Sequence, residues 1–87
     1  MINLKNWLLN NNFEYELKKY KYDIYIIDLE LLYKNNTCIV IETNHNLKTI
    51  SYNLYINWSF FMQRGELLLK DASPNEIIRY LQENHIL

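Results

Sequence analysis

An alternation of apolar and polar side chains between Ile50 and Met62 constrains the fold more strongly than any other feature of the sequence. Every even position in this stretch is apolar, whereas five of the six odd positions between them carry Ser, Asn or Tyr. Successive side chains of a β-strand point to opposite faces, so a period of two predicts a half-buried strand. A straight strand of this length would be wider than a small domain, and we expect it to bend or bulge near Asn57.

Two further strand-like segments precede this stretch, from Tyr22 to Tyr33 and from Cys38 to Thr43. The residues between them, from Lys34 to Thr37, are typical of a hairpin turn. The apolar residues of the two strands share one face only if odd-numbered residues of the first pair with odd-numbered residues of the second. This pairing predicts a loop with an odd number of residues. This register sets Leu29, Leu31 and Tyr33 beside Ile39 and Ile41, and it groups Asp28, Glu30 and Glu42 on the opposite face.

Two more turns complete the predicted sheet, one at His45-Asn46 and one at Arg64-Gly65. Asn tolerates positive φ, and the second turn contains the only glycine of the chain. The residue pairs predicted across these turns are Ile39 with Tyr52, Ile41 with Ile50, Glu42 with Thr49, Leu67 with Met62 and Leu69 with Phe60.

Helices are predicted at both ends of the chain. Residues 2–10 place Leu4, Trp7 and Leu8 on one helical stripe. The sequence from Ser73 to Glu76 has the spacing of a capping box, with proline at the first helical position. Both segments are amphipathic, so each needs a sheet or another helix to cover its apolar side.

Residues 13–22 fit either a strand or a helix, and their aromatic content favours a strand. We therefore predict a single α+β domain over residues 1–87. Its antiparallel sheet has four or five strands, with one helix before it and one after it. The even face of the Ile50–Met62 strand is the expected floor for both helices.

The charge and the cysteine content exclude several classes of protein. Nine basic and ten acidic residues give a formal charge of −1, which argues against a general binder of polyanions. Cys38 is the only cysteine, so the chain can form neither an internal disulfide nor a four-thiolate metal site, and a reducing compartment fits best. No signal peptide or membrane span is evident, and we expect a cytoplasmic protein without a membrane partner.

No residue pattern indicates catalysis. Asp28, Glu30 and Glu42 are the candidate carboxylate cluster, but a charged, solvated sheet face explains them more simply. His45 and His85 have no second ligand at metal-binding spacing. We predict no enzyme activity, no metal and no cofactor.

The segment Lys18-Lys19-Tyr20-Lys21-Tyr22 offers the best local case for nucleic acid, since lysines bind phosphate and aromatic rings stack on bases. Acidic residues on either side and the net charge argue against it. The lysines are also typical of an edge strand that is protected from aggregation. Binding of single-stranded nucleic acid by this segment is therefore an alternative function.

Four side chains are apolar where the predicted sheet faces water: Tyr25, Tyr55, Phe61 and Leu68. Exposed apolar patches mark surfaces that bind other proteins, and aromatic residues are common anchors there. The first helix or a sheet edge could instead cover them. Together with Asp28, Glu30 and Glu42, these four residues are the candidate partner-binding residues.

The residue usage points to a source. Asn, Ile, Tyr and Lys are specified by AT-rich codons and supply 39 of the 87 residues, as expected for a gene from an AT-rich bacterial, phage or plasmid genome. Anti-CRISPR proteins are of this general size and kind. We expect a phage or mobile-element protein that binds and inhibits a host defence or nucleic-acid-processing protein, with a small homodimeric structural protein as a further alternative.

Overall fold

The computed structural model describes residues 3–86, which form two helices and five strands in the expected α+β arrangement. The five strands form one antiparallel sheet in which each strand pairs with its neighbours in sequence. Residues 13–22 form a strand, as their aromatic content predicted, whereas the predicted start of the first helix at residue 2 lies outside the described residues. The elements are α1 (Leu4–Asn10), β1 (Glu14–Tyr22), β2 (Tyr25–Lys34), β3 (Thr37–Asn44), β4 (Thr49–Ser59), β5 (Arg64–Leu69) and α2 (Pro74–Glu83).

Both helices pack on one side of the sheet, here called the helix face. Their apolar stripes meet inward-facing residues of β2, β3 and β4, and this layer holds the main core. The capping box of α2 is present: the Ser73 hydroxyl accepts a hydrogen bond from the Glu76 N–H at 3.2 Å, and the Glu76 carboxylate accepts one from the Ser73 N–H at 3.0 Å. The fully buried large side chains of this core are Leu8, Leu32, Ile39, Leu54, Ile77 and Leu81.

The predicted register of the β2–β3 hairpin is wrong. Its turn has two residues, Asn35 and Asn36, with φ values of 50° and 63°, a conformation that Asn adopts more readily than most residues. An even loop reverses the parity, so Leu32 rather than Leu31 lies opposite Ile39. The helix face therefore carries Asp28, Glu30 and Leu32, and the opposite face carries Leu29, Leu31 and Tyr33.

The β3–β4 loop is longer than predicted, because pairing resumes with Asn44 opposite Thr49. The Asn44 side chain accepts hydrogen bonds from the N–H groups of Asn46 and Leu47, at 3.1 and 3.0 Å, and so holds a four-residue loop over positions 45–48. The register differs by two residues from the prediction, which leaves every side chain on its expected face. The observed pairs are Ile39 with Leu54, Ile41 with Tyr52 and Glu42 with Ser51.

The expected bulge in β4 is present at Asn57, which has a φ of 51° and lies within the register shift against β5 between Ile56 and Ser59. Beyond it Trp58 packs on the side of the sheet away from the helices. The turn into β5 covers residues 60–63, so Arg64-Gly65 is not a turn. Gly65 lies inside β5, where an added Cβ would be 2.7 Å from the Ile56 carbonyl oxygen. Leu67 pairs with Tyr55 and Leu69 with Leu54, instead of with Met62 and Phe60.

A second, smaller core lies on this other side of the sheet, here called the open face. Leu31, Cys38, Val40 and Trp58 are buried there, although neither helix covers them. Tyr55 stacks at a tilt on Trp58, with ring centroids 5.5 Å apart. The Trp58 side chain thus covers part of the open face, as the helices cover the other side of the sheet.

Candidate protein-binding surfaces

The predicted carboxylate cluster does not exist. Asp28 and Glu30 lie on the helix face, whereas Glu42, opposite Leu29 and Ser51, lies on the open face. The two-residue turn causes this separation, because it reverses the parity of β2. Among residues 3–86, no group of three or more Asp, Glu, His or Cys side chains is arranged to hold a metal ion.

Glu30 connects three elements of the helix face. Its carboxylate accepts hydrogen bonds from the Tyr15 hydroxyl at 2.7 Å and from the Lys5 ammonium at 3.0 Å. The hydrogen bond to Glu30 raises the pKa of Lys5, while burial is the main cause that raises the pKa of Tyr15. These contacts tie α1 and β1 to β2, so the structure supports a positioning role for Glu30.

Of the other candidate reactive side chains, Asp28 has a hydrogen-bond partner and Cys38 is buried. The Asp28 carboxylate and Nε2 of His45 are joined by a hydrogen bond of 2.8 Å near the end of the sheet. Cys38 is fully buried, and burial raises the pKa of its thiol to about 12. A protonated, inaccessible thiol is a poor nucleophile. Cys38 acts as a small apolar core residue.

The basic and aromatic segment of β1 is divided between the two faces. Lys18, Tyr20 and Tyr22 lie on the open face, whereas Lys19 and Lys21 lie opposite Asp28 and Ile26 on the helix face. The rings of Tyr20 and Tyr22 are parallel within 3°, with centroids 6.4 Å apart. Only three of these five side chains could contact one ligand on the open face.

The four apolar side chains expected to form one exposed patch are distributed over the molecule. Tyr25 lies at one end of β2, while Phe61 lies in the β4–β5 turn beyond the other end, where Phe60 contacts Tyr33 with ring centroids 5.3 Å apart. The two ends of β2 are roughly 30 Å apart at ~3.3 Å per residue. Tyr55 is partly buried against Trp58, and Leu68 is exposed on β5.

A groove on the open face brings Tyr55 and Glu42 together. It has a volume of about 380 Å³, an apolar floor that includes Leu31, and a rim that includes Lys18 and Arg64. The β4–β5 turn closes one side, where Gln63 donates a hydrogen bond to Glu16 at 3.3 Å. The groove is shallow, and its apolar floor is already largely covered by the side chains around it.

Six exposed apolar side chains lie at the end of the sheet that carries the β1–β2 turn and the β3–β4 loop. We call this group the hairpin-tip patch. The exposed fractions of its side chains reach 71% at Ile24 and 67% at Leu47. Its six residues are Tyr22, Ile24, Tyr25, Ile26, Leu47 and Ile50.

The side chain of Asn46 holds the two halves of the hairpin-tip patch together. Its amide accepts a hydrogen bond from the Ile26 N–H at 2.8 Å and donates one to the Ile24 carbonyl. The His45 N–H donates to the Ile26 carbonyl at 2.9 Å. Both loops are thus fixed against each other. The patch around them extends over both sides of the sheet end, with Tyr22 and Tyr25 on the open face and Ile26 and Ile50 on the helix face.

Sequence reasoning identified Tyr25 in this patch but missed Ile24 and Leu47. A signal was present, because both are large apolar residues inside turns rich in Asn and Asp, where no neighbouring strand residue can cover them. Asp23 takes the positive φ of 51° in the β1–β2 turn and leaves Ile24 at its outer corner. Ile24 was predicted to lie within the strand from Tyr22 to Tyr33, and Leu47 just after a two-residue loop, so neither was expected to be exposed.

A comparison of the chain with protein-family models, curated proteins and solved structures found no match. Within the described part of the chain, neither helix has the length and apolar character needed to cross a membrane. The candidate surfaces must therefore be judged by their own chemistry.

Proposed function

We propose that this protein is a non-enzymatic binding module that attaches to a partner protein through its hairpin-tip patch. The observation that carries the proposal is the exposure of six large apolar side chains at the end of the sheet where Asn46 fixes the β1–β2 turn to the β3–β4 loop. Scattered single apolar residues are normal on a protein surface, but a group of large exposed apolar residues is typical of a surface that binds a partner.

The chemistry of the patch suits a protein partner. Its centre is aliphatic and aromatic, and the charged side chains of Lys21, Asp23 and Lys48 are exposed beside it. An apolar centre with a polar rim is the usual composition of a protein–protein interface. Fixed loops also lose little conformational entropy when they bind, which favours affinity.

The proposed partner is a host protein of defence or nucleic-acid processing, which the chain would block as anti-CRISPR proteins block theirs. This part of the proposal rests on the chain's size and its AT-rich residue usage. A module that acts by covering a partner's surface needs no catalytic group of its own.

Affinity capture tests the proposal. The immobilised chain is exposed to lysate of an AT-rich bacterium, with and without its resident phages induced, and retained proteins are identified by mass spectrometry. We expect one dominant protein that elutes at a stoichiometry close to one partner per chain. Retention of no protein above a blank column across such lysates would refute the proposed function.

Binding of single-stranded nucleic acid stays a second candidate because the parallel rings of Tyr20 and Tyr22 lie beside Lys18 on the open face. Rings in this arrangement can stack on bases while the lysine contacts phosphate. We expect a salt-sensitive mobility shift of oligonucleotides to be lost in Lys18→Glu and in Tyr22→Ser. Because Lys19 lies on the helix face, Lys19→Glu should weaken the shift less. The absence of any shift at low salt would exclude this function.

A further inference from the structure

The free edge of β1 carries an unused set of backbone hydrogen-bonding groups. β1 is the first strand of the sheet and pairs with β2 over nine consecutive residues without a bulge. Among residues 3–86 no hydrogen bond of a loop or side chain reaches the backbone of its outer side. The other edge strand, β5, has six residues and pairs irregularly. β1 is therefore the edge that can accept another strand.

Two turns determine which backbone groups of β1 point outward. Residues that flank a two-residue hairpin turn form a hydrogen-bonded pair, and such pairs alternate with non-bonded ones along a ladder. The pair Tyr22–Tyr25 flanks the first turn, and the pair Lys34–Thr37 flanks the second. The alternation along the ladder from either pair gives the same result: the backbone N–H and C=O groups of the even residues of β1 bond to β2. The outward N–H and C=O groups are those of Tyr15, Leu17, Lys19 and Lys21.

We propose that this edge pairs with the same edge of a second copy, antiparallel and with Leu17 opposite Leu17. The two copies then form one continuous sheet across a twofold axis. The outward backbone groups of the two copies then bond to each other. Leu17 pairs with Leu17, and Tyr15 of each copy pairs with Lys19 of the other. About six hydrogen bonds would join the copies, two for each of the three pairs.

The charges along β1 are complementary to themselves in this register. β1 is acidic in its first half, at Glu14 and Glu16, and basic in its second half. With Leu17 on the axis, Glu16 of each copy lies opposite Lys18 of the other on the open face. Leu17 is 42% exposed on the helix face in a single copy and becomes covered by its counterpart.

The same charged side chains destabilise other registers of this strand pair. A slide of two residues in one direction places Glu16 opposite Glu16, and in the other direction it places Lys18 opposite Lys18. Like charges directly opposite each other destabilise a strand pair. The charges of this edge therefore favour pairing with a second copy in one register. In that register the hairpin-tip patches of the two copies remain free at opposite ends of the joint sheet.

Charge reversal tests the pairing, with sedimentation equilibrium of the full chain from micromolar to millimolar concentration as the measurement. We expect a reversible monomer–dimer equilibrium in which Glu16→Lys and Lys18→Glu each raise the dissociation constant by roughly tenfold or more. The double variant E16K/K18E restores opposite charges at both positions and should recover the wild-type constant. An equimolar mixture of the two single variants should form a heterodimer for the same reason.

Two further variants separate this edge from other surfaces. Leu17→Pro removes an outward N–H without touching the bonds to β2, so it should abolish the dimer while circular dichroism stays unchanged. Glu66→Lys makes the same charge change on the β5 edge and should leave the dissociation constant unaltered. A chain that is monomeric at millimolar concentration overturns the proposal. So does a dimer that E16K, K18E and L17P leave intact.

Discussion

Replacing Leu32 with Ala is expected to lower the free energy of unfolding by about 3 kcal/mol, the typical loss for a fully buried leucine in a packed core. Leu32 is inaccessible to solvent and lies in the core beneath both helices. Its removal leaves a cavity between the sheet and the helices as well as losing transfer free energy. For a domain whose total stability is about 5–15 kcal/mol, this loss is large.

Leu29→Ala is the matched control, because the same atoms are removed from a half-buried side chain on the open face of the same strand. We expect it to cost about 1 kcal/mol, since part of the side chain stays in contact with water in the folded protein and its truncation leaves no enclosed cavity. Urea unfolding of both variants gives the comparison. A larger loss for Leu29 than for Leu32 would support the register expected from sequence and contradict the observed one.

Loss of partner binding is the second large effect. The double variant I24S/L47S removes the two most exposed apolar side chains of the hairpin-tip patch and is expected to weaken binding of the captured protein by about 100-fold, or ~2.8 kcal/mol. Binding would be measured by isothermal titration calorimetry. The variant should fold normally, because neither side chain belongs to a core cluster.

Phe61→Ser provides the control for this variant. Phe61 is 95% exposed, so its replacement removes a large, exposed apolar side chain from the opposite end of the molecule. We expect binding within about twofold of the wild type, since surface substitutions outside an interface have little effect. Equal losses for the Phe61 variant and the tip variant would show that general stickiness, rather than the hairpin-tip patch, retained the partner.

The local features of the fold could be predicted from the sequence, since each depends on residues adjacent in the chain. Ser73 and Glu76 identify the start of α2, and the alternation after Ile50 identifies β4. The bulge at Asn57 followed from strand length and from the tolerance of Asn for positive φ. In these cases one physical cause determined the structure.

The register of β2 could not be predicted by parity because the strand is apolar on both faces. Leu31 and Tyr33 face one way and Leu32 the other, yet each of the three meets an apolar partner on β3. The deciding factor was the two-residue Asn35-Asn36 turn, whose paired positive φ values the parity argument did not weigh. This one error also produced the false cluster of Asp28, Glu30 and Glu42.

The candidate site depends on what covers each residue, which sequence reveals less well. Tyr55 was expected to be free, but Trp58 crosses to the open face after the bulge and packs on it. Ile24 and Leu47 lie far apart in sequence, and the hydrogen bonds of Asn46 bring their loops together. A surface built from two loops has no continuous sequence signature.

Amide hydrogen exchange of the protein, alone and bound to its captured partner, tests the central claim most directly. Loop and edge amides exchange readily when free, so their protection reports where a partner sits. We predict that protection on binding concentrates in residues 22–26 and 45–50, the two halves of the hairpin-tip patch. Protection confined to the open-face groove around Glu42 and Tyr55, with both loops unchanged, would contradict the claim.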